Sequence, residues 1–213
     1  MHPELLFREE GGRSVPMLVW RLPGAIPAIS SAVLGGGVRT PAWVINATVP
    51  MSYDRDDPEV HLTELAVAAG LEGDGVGLMT GVDVTEMVTA DEDGVRVWAT
   101  VGLGNAVQAA APAGEPAEAI GTINVVAYVP ARLSEAALVN AVATIAEAKA
   151  QALRDLGMAA TGTSTDAVCI LTAGGTSGPD ERYGGPRSRW GRPLAWAAYT
   201  AIRNGGRGTT AEG

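Results

Sequence analysis

The chain of 213 residues is 46% hydrophobic, 18% charged and 5% aromatic, a balance that places it among globular proteins and excludes disorder, collagen and coiled coil. Fifteen basic residues against 24 acidic ones give a formal charge of −9, which repels phosphate backbones and anionic membranes and argues against a nucleic-acid partner. The single cysteine, Cys169, excludes an intrachain disulfide framework and a multi-cysteine zinc site.

Residues 1–13 contain no apolar stretch of signal-peptide length and read as a flexible tail. Nowhere do about 18 uncharged apolar residues run together, so no membrane contact and a cytoplasmic location are expected. From 14 to 49 the runs VPMLVWRL, PAISSAVL and PAWVINATV, separated by proline and a glycine cluster at 35–37, predict strands. Asp57 and Pro58 then open a short helix carried to Gly70 by Val60, Leu62, Leu65, Ala66 and Ala69. GVGLMTGVDVTEMVTA and VRVWATVGLG together read as a hairpin whose loop is DEDG, and 109–118 has the composition of a loop.

GTINVVAYVP is apolar on both faces, as a strand covered on both sides requires, and Ser134 caps a long helix that ends at Gly157. TGTSTDAVCILTAGG is a turn feeding another buried strand. A loop follows through GGTSGPDERYGGP, then a helix over 191–204 and a second tail over 205–213. The pattern predicts α/β or α+β class: one layered domain over 1–213, with a buried mixed β-sheet and flanking helices. It sets no oligomeric state.

Lys149 is the only lysine beside 14 arginines, and at 100° per residue it falls within the apolar stripe Leu138, Val142, Ile145, Leu153 and Leu156. It either snorkels over the edge of that face or acts in a site, supplying a proton or steadying an oxyanion. Glu147 lies about 180° away on the same projection, on a solvated face unless the helix is covered on both sides. In TGTSTD, Thr163, Thr165 and Asp166 offer hydroxyls and a carboxylate that either tie down a strand entry or serve chemistry. Asp166, ahead of an apolar run, needs a donor such as Lys149 or a backbone N–H.

Asn46, Asn105, Asn124, Thr80, Thr100 and Thr122 lie in or at the ends of apolar strands, where each polar group needs a backbone or ligand partner. Convergent amides and hydroxyls suit a ligand rich in side-chain amides. His2 and His61 are the only histidines, so no metal site or Ser-His-Asp triad is supported, and no resident cofactor is expected. GVGLMTG is not a dinucleotide fingerprint, and no P-loop is present.

In order along the chain stand SSAVLGGG (30–37), VIN with TVP (44–50), YDRDDP (53–58), GLMT (77–80), ATVGLGNA (99–106), GTINVV (121–126), EAKAQAL (147–153), TGTSTDA (161–167) and YGGP (183–186). Each is weak alone, but their order and spacing resemble the adenosylcobinamide amidohydrolase (CbiZ) family over about residues 14–203. The resemblance implies a cobinamide-salvage enzyme that hydrolyses the amide joining a corrin propionyl arm to aminopropanol, releasing adenosylcobyric acid. It also implies a corrinoid as substrate rather than cofactor, whose peripheral amides suit the buried Asn and Thr groups and whose apolar face suits Trp and Tyr walls, Tyr183 of YGGP among them. A corrinoid-binding protein without hydrolysis, or an amidase acting on complete cobamides, remains the alternative. For amide hydrolysis the chemistry suggests a water activated by Asp166 or Glu147, or a hydroxyl of the TGTSTD turn such as Thr165, with Lys149 steadying the oxyanion or protonating the amine. Thr122 and Ser31 are further nucleophile candidates. A strand, a long helix and a Thr/Asp-rich strand in this order are also similar to enzymes that cleave themselves to expose an N-terminal Thr or Ser.

Overall fold

The computed structural model describes residues 1–104, 106–111, 121–175 and 180–209. Asn105, the 112–118 part of the expected loop and the last four residues of the expected tail lie outside these. The first hairpin joins β1 (Glu4–Glu10) to β2 (Arg13–Arg21) through Gly11 and Gly12, whose φ values of 58° and 73° fit the tight two-residue turn that a right-twisted hairpin needs. This corrects the reading of residues 1–13 as a flexible tail: seven residues of ELLFREE pair with β2 in continuous register.

Two short strands, β3 (Ala28–Ser30) and β4 (Gly37–Arg39), precede β5 (Trp43–Thr48). Helix α1 (Pro58–Ala68) then crosses over to β6 (Gly75–Thr80), parallel to β5, and the first sheet has the order β1-β2-β5-β6. The expected placement of GVGLMT in a hairpin with the following strands is therefore corrected. The hairpin is formed instead by β7 (Val88–Glu92) and β8 (Val95–Val101) around Asp93 and Gly94, both at positive φ. β6 is buried along nearly its whole length, which the first sheet provides and a two-stranded ribbon could not.

The short β9 (Ala106–Val107) is followed by β10 (Ile123–Val129), α2 (Glu135–Asp155), the short β11 (Gly162–Thr163), β12 (Ala167–Thr172) and α3 (Gly191–Thr209). The second sheet has the order β4-β3-β12-β10-β8-β7, with β10 and β12 parallel and central, and β9 pairs with β11. Ser134 caps α2 as expected, its Oγ accepting from Ala137 N. At the other end Gly157, at φ 81°, lets the chain turn while Gly157 N and Met158 N bond the last carbonyls. The last helix continues to Thr209, five residues past its expected end, so most of the expected C-terminal tail is helical.

The mixed α/β fold is the expected layered one, and alternation along the strands divides its mixed sheet structure into two sheets, giving four layers. Met17 and Val19 of β2 join Trp43, Ile45 and Ala47 of β5 against Leu62, Leu65 and Ala66 of α1. Leu18 and Trp20, on the other face, meet Trp98, Val126, Cys169 and Leu171 of the second sheet. Trp20 and Trp98 touch edge to face with centroids 5.6 Å apart. The outer face of the second sheet, with Val97, Val125, Ala127 and Ile170, packs on Leu138, Ile145 and Leu153 of α2 and Leu194, Ala198 and Ile202 of α3. Each of the fully buried Val, Leu and Ile side chains among these stabilises the fold by about 1.5–3 kcal/mol. The arrangement is helix, sheet, sheet, helix pair. Among the described residues no helix is long and apolar enough to cross a membrane.

Candidate active site

The parallel pair β5 and β6 ends where the parallel pair β10 and β12 begins. Between these ends opens a cavity of about 450 Å³. Val49, Pro50, Leu78, Met79, Thr80 and Gly81 come from the ends of the first-sheet strands, and Thr122, Thr165, Asp166 and Ala167 from the starts of the second-sheet strands. Ser31 and Val33 after β3, Tyr53 ahead of α1 and Pro58 at its first position complete the wall.

Asp166 is the anchor of the second-sheet side. Its Oδ1 accepts from Ile123 N at 2.9 Å and from the Thr163 hydroxyl, while its Oδ2 accepts from Thr163 N at 3.0 Å and from Lys149 Nζ. Four donors fill the acceptor positions of an ionised carboxylate. Asp166 therefore has no capacity left to activate a water, and its effect is to fix the TGTSTD turn to the head of β10. Lys149 reaches it from α2 beneath Gly162. A Cβ at Gly162 would lie 2.6 Å from Lys149 Nζ and 2.5 Å from Asp166 Oδ2, so only glycine leaves room for the ion pair. Lys149 supports the turn from behind and lies outside the residues that line the cavity.

Two hydroxyls meet at the cavity. Thr122 Oγ1, on a residue only 5% exposed at the head of β10, lies 2.5 Å from Thr165 Oγ1, and the Thr165 hydroxyl also donates to the Gly121 carbonyl at 3.3 Å. A hydroxyl has one proton. With Thr165's directed at Gly121 O, the Thr122 O–H donates between the two threonines; with Thr165's directed at Thr122, the direction reverses.

The remaining candidates separate from this cluster. Asn46 Nδ2 donates to Thr100 Oγ1 at 3.1 Å, and Asn124 Nδ2 donates to Asn46 Oδ1 at 2.9 Å and Met79 O at 2.8 Å. These three residues are buried between the sheets behind Met79, bonded to one another and off the cavity wall; Asn124 Oδ1 has no donor among the described residues. Thr80 lines the cavity, but its hydroxyl accepts from Val82 N. Tyr183 is 74% exposed and lies outside the residues lining the cavity. Glu147, the other carboxylate offered for activating a water, stands apart from this cavity on the exposed face of α2, in a surface hollow with Gln108, Gln151 and Arg154.

Tyr53 is a site residue that strand and helix patterns did not single out. Its ring stacks on His61 with centroids 5.6 Å apart, and its hydroxyl lies 3.2 Å from His61 Nδ1. Burial raises the Tyr53 pKa and lowers that of His61, so at neutral pH the pair is a protonated phenol beside a neutral imidazole. Glu10 of β1 stands 3.9 Å from His61 Nε2. The sequence signal is a tyrosine eight residues before a histidine that opens onto the buried face of α1. Among the described residues no group of three or more His, Cys, Asp and Glu side chains is placed to hold a metal ion.

A family model described as adenosylcobinamide amidohydrolase, CbiZ, matches residues 3–212. The chain is 31% identical over 191 residues to an adenosylcobinamide amidohydrolase of Methanosarcina mazei, spanning 86% of this chain and 92% of that one. It is 33% identical over 187 residues to an adenosylcobinamide amidohydrolase of Halobacterium salinarum, spanning 82% and 78%.

Proposed function

From its membership of the adenosylcobinamide amidohydrolase family, to which the chain belongs, we propose that this protein hydrolyses adenosylcobinamide at the amide between the propionyl arm and aminopropanol, giving adenosylcobyric acid. The observation that carries the reading is the Thr122–Thr165 hydroxyl pair at a cavity of about 450 Å³. That volume suits a small-molecule side arm, whereas a corrin macrocycle with its axial nucleoside is larger. The arm enters while the ring rests on the apolar rim of Val33, Pro50 and Pro58. A protein of net charge −9 is compatible with a neutral or cationic corrinoid.

Amide hydrolysis needs a nucleophile, a donor to the developing oxyanion and a proton for the leaving amine. A threonine hydroxyl of the pair attacks the amide carbon, and its neighbour takes the proton and passes it to the leaving nitrogen. Asp166 and Lys149 act as positioning residues: Asp166, although on the cavity wall, spends its acceptor positions on holding the Thr163–Asp166 turn against β10, and Lys149 stands behind it, off the wall.

The test is to incubate the purified, chelator-treated full chain with adenosylcobinamide and follow aminopropanol and adenosylcobyric acid by mass spectrometry. Equimolar release of both supports the reading. Corrinoid binding without either product, also after divalent metals are restored, replaces it with a non-catalytic binding protein.

A further inference from the structure

We infer that the first amide this site cleaves is its own Gly121–Thr122 peptide bond, and that the working nucleophile is Thr122 at a newly made N-terminus. The inference rests on the reading of the Thr122–Thr165 pair as the catalytic hydroxyls and deepens it. It begins from a deficit. A threonine hydroxyl is a weak nucleophile unless a base takes its proton, and among the described residues lining the cavity the titratable groups are Asp166 and Tyr53. Asp166 already accepts four hydrogen bonds. Tyr53 is a protonated phenol, and His61 meets the cavity only through it. The intact chain thus holds a nucleophile with no base beside it.

The geometry at residue 121 supplies one. Thr122 Oγ1 is separated from the Gly121 carbonyl carbon by Cβ, Cα and N, so attack closes a five-membered ring. The carbonyl oxygen under attack is the one to which Thr165 donates, at 3.3 Å, and Thr165 is also the hydroxyl that receives the Thr122 proton, at 2.5 Å. One side chain therefore accepts from the nucleophile and donates to the electrophile. Gly121 has no side chain to shield the carbonyl. The backbone on the other side is held still, because Ile123 N is bonded to Asp166 and β10 is paired on both edges. Such fixed orientation supplies much of the acceleration of intramolecular reactions.

The step balances as follows. Thr122 Oγ1 forms a bond to the Gly121 carbonyl carbon, and its proton moves to Thr165 Oγ1 as the Thr165 proton moves to the Gly121 oxygen. That oxygen then returns its proton to the Thr122 nitrogen, the C–N bond breaks, and an ester joins Gly121 to Thr122 Oγ1. One water hydrolyses the ester, leaving a Gly121 carboxylate and a Thr122 with both a free hydroxyl and a free α-amine. An α-amine has an ordinary pKa of about 7.7–8.0, so at neutral pH a useful fraction is unprotonated and can take the proton of its own residue's hydroxyl. Adenosylcobinamide is then cleaved by attack of Thr122 Oγ1 on the amide carbon, loss of aminopropanol and hydrolysis of the resulting ester by a second water.

Intact-mass spectrometry and N-terminal sequencing of the purified full chain test this directly. The expected result is two co-purifying fragments of 121 and 92 residues, together heavier than the intact chain by one water, the second beginning at Thr122. Thr122→Val keeps the side-chain shape and should yield a single uncut chain with turnover of adenosylcobinamide lowered by about 1000-fold or more. Thr122→Ser should restore both fragments, which separates loss of the hydroxyl from loss of the fold. Thr165→Val should slow fragment formation about 100-fold, as removal of an oxyanion donor does. An uncut wild-type chain that hydrolyses adenosylcobinamide at full rate overturns the self-cleavage and leaves the proposed function standing. Fragments that also form in Thr122→Val overturn it as well, since a foreign protease then made the cut. Cut wild type inactive on adenosylcobinamide sustains the self-cleavage and overturns the substrate.

Discussion

Replacing Asp166 with asparagine isolates the contribution of the ion pair behind the TGTSTD turn. The new amide oxygen keeps the bonds from Ile123 N and the Thr163 hydroxyl, but the amide nitrogen must face Lys149 Nζ and Thr163 N, donor against donor. Two acceptor contacts are lost and an ammonium loses its counter-charge. Removing one partner of a fully buried pair costs about 3–5 kcal/mol. Here the side chains retain 18% and 9% exposure, which leaves the ammonium some water and lowers the expectation to roughly 2–4 kcal/mol. For a chain of this length that is a fall in Tm of roughly 5–15 °C. Thermal and urea unfolding of Asp166→Asn measure it, and the same change made in a Lys149→Met background completes the cycle. With the ammonium gone, the cost of Asp166→Asn should fall by at least about 1 kcal/mol. A variant within about 0.5 kcal/mol of wild type, or an equal cost in both backgrounds, refutes the pairing as a stabilising contact.

Other expectations follow from the same geometry. Glu147→Gln should change turnover of adenosylcobinamide less than about two-fold, because the side chain stands on the exposed face of α2; a drop of about 100-fold would return Glu147 to the reaction. Burial, outweighing the opposing pull of Glu10, holds the His61 imidazole below its ordinary range, with Arg8, Arg55 and Glu64 also acting on it. As pH falls below about 6.5 the unfolded chain binds the proton first, so His61 withdraws stability on acidification. The stability advantage of wild type over His61→Gln should therefore shrink between about pH 7.5 and pH 5, and a gap that stays constant contradicts it. Burial pushes the Cys169 thiol up to about 12, so the folded protein should resist alkylation by iodoacetamide at mildly alkaline pH. Native-state labelling at the rate of the unfolded chain would refute that placement.

Local rules recovered the elements whose causes are local. Ser134 capping α2, the glycine that ends it, and the two-sided apolar run of β10 are all written within a few residues of where they act. The pairing of Lys149 with Asp166 was also within reach, because a carboxylate before a buried strand needs a donor and the chain has one lysine on an apolar stripe. The partner of β6 was not legible. An apolar run of six residues cannot name the strand it lies beside, and β5 supplies its register only after α1 has crossed over. ELLFREE looked like a tail because its apolar residues do not form a strong buried face. The pair Gly11–Gly12 was the available hairpin signal. The hydroxyl cluster was divided in the sequence, with Thr122 and Thr165 separated by 43 residues, and only the parallel registry of β10 and β12 brings them to one point. The amides of Asn46 and Asn124 were candidates for a ligand, but two facing sheets offered them each other.

The two walls of the cavity descend from different sheets, and on the proposed function this separates reaction from recognition. The hydroxyls and their anchoring carboxylate belong to the starts of β10 and β12, whereas Pro50 and Tyr53 belong to the connection after β5 and Pro58 to the first turn of α1. That connection can change in length or sequence without altering any hydrogen bond made by Thr122, Thr165 or Asp166. A lineage of such proteins could therefore acquire new preferences among substrate arms by redrafting one loop, while the bond-breaking apparatus is inherited unaltered. Grafting residues 49–58 between relatives is accordingly the economical way to exchange their substrate ranges.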